Sequence, residues 1–66
     1  MEIQVNGEPR QVQDQLTAAQ LVDVLGLNEQ RLALEVNREI IPRSCFGSHC
    51  LAPGDKVEIV RAIGGG

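Results

Sequence analysis

A chain of 66 residues has room for one domain, and at that size only roughly 60% of the unfolded surface is buried, so the core has little to spare. The apolar fraction of 42% is that of a globular domain rather than a disordered one, yet Phe46 is the single aromatic residue, which leaves almost no stacking surface for a nucleobase, sugar or flavin. The net charge of −3 is spread along the chain, and the five arginines with Lys56 are too dispersed to form the basic surface that nucleic acid or an anionic membrane requires.

Ile3 and Val5 alternate with Glu2, Gln4 and Asn6, the period of a half-buried strand. Asn6-Gly7 is the dipeptide that most readily takes the positive φ angles of a tight hairpin, and Pro9 to Gln13 returns as a second strand with Val12 inward. Pro9 has no N–H to donate, which suits the start of an edge strand. Thr17 is a good helix N-cap; Ala18, Leu21, Val22 and Leu25 then fall on one helical face, and Gly26 stands where a helix commonly closes. So short a helix needs a sheet to pack on. Leu32, Leu34 and Val36 mark a third strand, Asn37-Arg38 a turn, and Glu39-Ile40-Ile41 a short fourth strand ended by Pro42. Residues 43 to 52 have no clean period and predict an irregular turn or 3₁₀ segment. Pro53-Gly54-Asp55-Lys56 is a turn, and Lys56 to Ile63 is the last strand. There Val57 and Ile59 share one face and Val60 and Ala62 the other, which suits a central strand covered by the helix on one side and open to a partner on the other. This order predicts an α+β fold, a β-grasp: a mixed sheet of four to five strands with one helix on one face. The domain is expected over residues 1–63, with Gly64, Gly65 and Gly66 as a flexible tail.

Glu2 and Gln4 interrupt the first apolar residues and no long apolar run follows, so the expectation is no signal peptide and no spanning helix. Two cysteines at this spacing are not a disulfide framework, which points to a reduced, cytoplasmic protein. Cys45, His49 and Cys50 raise a rival reading, a thiol nucleophile or a zinc site. Zinc wants four ligands where three are on offer, and a nucleophile wants a third group to orient His49 and a pocket to exclude water. The expectation is therefore no catalytic site and no metal, with the cysteines as small apolar fillers and His49 as an exposed loop residue.

Three glycines directly after a regular strand invite a different chemistry. Without Cβ atoms they can pass through a narrow channel, and fully extended they carry a terminal carboxylate about 10 Å beyond the folded body, at ~3.3–3.6 Å per residue. That is a substrate handle for another protein's active site. Apolar Val60, Ala62 and Ile63, beside the tail, are candidate partner contacts, and so is Arg61, with ordinary sheet packing and a solvated surface arginine as the alternatives.

A β-grasp ending in Gly-Gly resembles the ubiquitin-like superfamily and its bacterial sulfur carriers. Val5-Asn6-Gly7, the block Glu35 to Arg43 and the end from Pro53 to Gly66 resemble the thiamine-biosynthesis sulfur carriers, the ThiS family, over essentially the whole chain. Ser44 to Cys50 matches no feature of that family. The resemblance implies a sulfur-carrier cycle and a protein that is not itself an enzyme. A ubiquitin-activating-like adenylyltransferase, using ATP-Mg, forms an acyl-adenylate on Gly66. Sulfur from a cysteine desulfurase relay then gives a thiocarboxylate, and thiazole synthase consumes it. No cofactor is expected to be tightly bound. The same resemblance leaves two alternatives: a carrier for molybdopterin synthesis, whose small synthase subunit is usually longer with prolines and an aromatic before its Gly-Gly, and a ubiquitin-like protein modifier.

Overall fold

The computed structural model describes residues 1–27 and 31–61. Strands β1 (Glu2–Val5) and β2 (Glu8–Gln11) form an antiparallel hairpin, with Ile3 opposite Arg10 and Val5 opposite Glu8. The turn between them has φ of 52° at Asn6 and 83° at Gly7, the left-handed pair that matches strand twist. β2 ends at Gln11, two residues short of the expected Gln13, and all four of its residues are exposed, as befits an edge strand. Backbone pairing nonetheless reaches one residue further, because Met1 and Val12 exchange N–H···O bonds of 2.6 and 2.8 Å. That pairing turns Val12 inward against the core.

Helix α1 (Ala18–Val24) begins at Thr17, whose Oγ1 accepts the N–H of Gln20 at 3.1 Å while Gln20 Oε1 accepts the N–H of Thr17 at 2.9 Å, a reciprocal capping box. The other unpaired donors of the first turn go to a distant loop: the N–H of Ala18 to the His49 carbonyl at 2.9 Å, that of Ala19 to the Phe46 carbonyl at 3.0 Å. The helix closes on Gly26 at φ +72°, with N–H bonds from Gly26 to the Asp23 carbonyl and from Leu27 to the Val22 carbonyl.

β3 (Leu32–Val36), β4 (Glu39–Ile41) and β5 (Lys56–Arg61) complete one five-stranded sheet in the order β2-β1-β5-β3-β4. The β1–β5 pair is parallel and the others are antiparallel. The last strand was expected to run to Ile63; it is described to Arg61, and Ala62 and Ile63 lie outside the described residues. Between β4 and β5 the aperiodic segment holds a 3₁₀ turn at Arg43–Cys45 and then runs alongside the entry to the helix, where the N–H of Leu51 bonds the Leu16 carbonyl at 2.8 Å.

The core lies between α1 and the sheet. Ile3, Ala18, Leu21 and Leu34 are wholly buried, with Val22, Val36, Val57 and Ile59 beside them. Each large aliphatic side chain so buried contributes roughly 1.5–3 kcal/mol. Val5, Leu25 and Leu32, expected in the same core, are half-buried at its rim. Leu16, Phe46 and Leu51 join the core from segments whose sequence carries no strand or helix period. Among the described residues no helix is long and apolar enough to cross a membrane.

Candidate functional site

The strand that leads to the carboxyl terminus is the middle one of the sheet. β5 has β1 on one side and β3 on the other, with Val57 opposite Val5 and Val36, and Ile59 opposite Leu34. Strand alternation therefore sends Val57 and Ile59 into the core and Lys56, Glu58 and Val60 to the face turned away from α1. Val60 is 62% exposed there, opposite the exposed Ala33 on β3. In the neighbouring row Ile40 of β4, 70% exposed, lies across from Glu35, and Glu35 across from Glu58. The open face thus carries apolar side chains with acids between them, and its Ala33–Val60 row lies nearest the end of β5. Val60 lies on the open face, as the alternation along the last strand predicts.

Arg61 ends the described part of β5, opposite Leu32, and it is exposed. It lies on the helix side of the sheet and lines an open groove of about 600 Å³ together with Val5, Glu8, Arg10, Leu25 and Leu27 among others. The remaining site residues read from the sequence, Ala62, Ile63, Gly64, Gly65 and Gly66, lie outside the described residues.

Two hydrogen-bonding side chains that the sequence reading assigned only to turns hold β5 in place. Asn6 Oδ1 accepts the N–H of Ile59 at 2.8 Å and its Nδ2 donates to the Ile59 carbonyl at 3.3 Å. Asn37 Oδ1 accepts the N–H of Lys56 at 3.0 Å, and its Nδ2 donates to Asp55 at 3.1 Å. A signal for both was present, since each Asn sits where a hairpin demands positive φ, but the partner strand lies up to 53 residues away.

Cys45 and Cys50 correct an expectation. Both are exposed free thiols, and neither fills the core; Phe46 does so from the same segment. His49 is half-buried, its carbonyl engaged by the helix N-terminus. The segment's backbone carbonyls cap α1, which is a structural task independent of its thiols. Among the described residues no group of three or more His, Cys, Asp and Glu side chains is placed to hold a metal ion.

A five-stranded mixed sheet with one helix on one face, and its last strand at the centre, defines a ubiquitin-like β-grasp domain. The chain belongs to the ThiS family, whose model matches residues 3–66. Its fold superimposes on the crystal structure of the thiamine biosynthesis protein ThiS from Geobacter metallireducens with a TM-score of 0.87, at 30% identity and over the whole of both chains. It is 29% identical over 66 residues to the sulfur carrier protein ThiS of Escherichia coli, again over the whole of both chains. It is also 39% identical over 66 residues to a thiazole synthase of Paramagnetospirillum magneticum, of whose length it spans 20%.

Proposed function

We propose that this chain is a sulfur carrier of thiamine biosynthesis, working through the carboxylate of Gly66 and serving its partner enzymes as a cosubstrate. A carboxylate is a poor electrophile. An adenylyltransferase with ATP-Mg joins it to AMP with release of pyrophosphate, and AMP is then a leaving group that sulfur from a cysteine desulfurase relay displaces. The resulting thiocarboxylate is the sulfur source for thiazole synthase. The chain itself supplies a docking face, including Val60 and Arg61 and in this reading Ala62 and Ile63, and the group to be modified.

The family match, which includes Gly66, carries this reading. The thiazole synthase relative supports the choice of acceptor, since a segment like this chain makes up a fifth of a polypeptide bearing that name. Two modules on one polypeptide meet at a high effective concentration, an arrangement suited to donor and acceptor of the same sulfur.

The test is removal of Gly66. Ile59 is the last residue of β5 within the core, so the shortened protein is expected to melt at nearly the same temperature. The deletion sets the carboxylate back by ~3.5 Å, where a misplacement of about 1 Å already costs ~100-fold in rate. ATP–pyrophosphate exchange with the cognate adenylyltransferase should therefore fall to background, and intact mass should show no replacement of oxygen by sulfur. Normal exchange without Gly66 would end the case for chemistry on that residue.

A further inference from the structure

We propose that Asn6 is a positioning residue for the reaction at the carboxyl terminus, an inference that rests on the reading of Gly66 given above. β1 is four residues long and its strand pairing with β5 ends at Val5 opposite Val57. There the chain turns away through Asn6 and Gly7 towards β2. Asn6 closes the gap this leaves beside β5. Its own N–H bonds the Val57 carbonyl at 2.9 Å, and its side chain then takes both polar groups of the next residue facing it, the N–H of Ile59 at 2.8 Å and the carbonyl at 3.3 Å. A carboxamide carries the same donor and acceptor as a peptide unit, so this side chain stands in for the next residue of β1. β5 is thereby flanked on both edges at this level, by β3, whose Leu34 lies across from Ile59, and by the Asn6 side chain, which takes both backbone groups of Ile59.

Ile59 is seven residues before Gly66. Seven residues reach at most about 25 Å, so the direction of β5 at Ile59 sets the region that the reacting end can reach. Holding β5 on both edges fixes that direction two residues before the end of its described part at Arg61. Asn37 provides an internal comparison. It too has positive φ, its N–H bonds the Lys56 carbonyl at 2.8 Å, and its Oδ1 accepts the N–H of Lys56. It performs the same service at the opposite end of β5, where β5 begins.

The experiment measures ATP–pyrophosphate exchange against carrier concentration with the cognate adenylyltransferase, beside thermal melts, for the wild type, Asn6→Gly, Asn6→Asp and Asn37→Gly. Glycine keeps the positive φ and deletes the carboxamide; aspartate keeps the acceptor and sets a second oxygen against the Ile59 carbonyl. Misalignment of the reacting end predicts that Asn6→Gly lowers kcat by at least ~10-fold while KM for the carrier stays within ~2-fold. Asn37→Gly should lower the melting temperature comparably and leave kcat near the wild-type value. Asn6→Asp should fall between wild type and Asn6→Gly, and it decides by the same criterion if Asn6→Gly does not fold. Unchanged kcat in the folded Asn6 variants, or an equal loss of kcat in Asn37→Gly, would overturn the inference while leaving the carrier reading standing. A wild type that supports no exchange would overturn the carrier reading, and this inference with it.

Discussion

Asn37 and Arg38 form a turn of the same hand as Asn6 and Gly7, with φ of 51° and 71° against 52° and 83°. Asparagine tolerates that region because its short polar side chain bonds locally, and glycine because it has no Cβ; arginine has neither excuse, and the conformation costs it roughly 1–2 kcal/mol. Arg38→Gly is therefore expected to raise stability by about 0.5–1 kcal/mol, once the greater freedom of glycine in the unfolded chain is subtracted. A urea midpoint that does not rise would show that the exposed Arg38 side chain offsets its strain. At this scale the sequence was legible wherever a residue's task is local: Asn6-Gly7 and Asn37-Arg38 read correctly as turns. It was silent where the task is a bond to a remote strand, as for the Asn6 carboxamide. It misled at Cys45 and Cys50, where a general tendency of cysteine to be buried stood in for a periodic signal that residues 43–52 do not contain.

α1 has seven residues, too few to persist without help, so its ends matter more than its interior propensities. The N-terminal end has two kinds of support, the capping box of Thr17 and Gln20 and the carbonyls of His49 and Phe46. Thr17→Ala removes the first kind and should cost about 1 kcal/mol in denaturant unfolding. A loss near zero would mean that the loop carbonyls suffice to hold the first turn. Thr17 and Gly26 were both readable as helix ends, since caps are side-chain preferences. The contribution of the 43–51 segment was not, because a backbone carbonyl is offered by every residue and leaves no mark in composition. The strands were legible for the reason the caps were: burial on one face imposes alternation, and a slip of one residue would turn Ile3, Leu34, Val36, Val57 and Ile59 out of the core. β2, exposed throughout, had no such constraint, and its end was accordingly placed two residues too far.

The whole molecule divides its labour between the two faces of one sheet. On the helix side, Leu21 is fully buried against Ile3, Leu34 and Val57. On the other, Val60 and Ile40 are exposed to 62% and 70% on the strand that leads to the tail and on the short strand at the sheet's edge. Truncating Leu21 to alanine should cost about 2–5 kcal/mol. Domains have about 0.05–0.15 kcal/mol of stability per residue, so that loss removes much of what a chain of this length possesses. Val60→Asp, by contrast, changes a side chain that contributes little to the core and should shift stability by no more than about 0.5 kcal/mol. If the open face receives the activating enzyme, the same substitution places a carboxylate where a partner's apolar side chain must lie, beside Glu58 and across from Ala33. Its effect should then fall on the KM for the carrier in pyrophosphate exchange, with kcat at saturation retained, because Asn6 still holds β5 and the tail is unaltered. The two variants thus have opposite signatures: Leu21→Ala is read in the melt, Val60→Asp in the concentration dependence of exchange. A Val60→Asp protein with wild-type KM would remove this face from the docking surface and leave the groove beside Arg61 as the remaining approach to the end of β5.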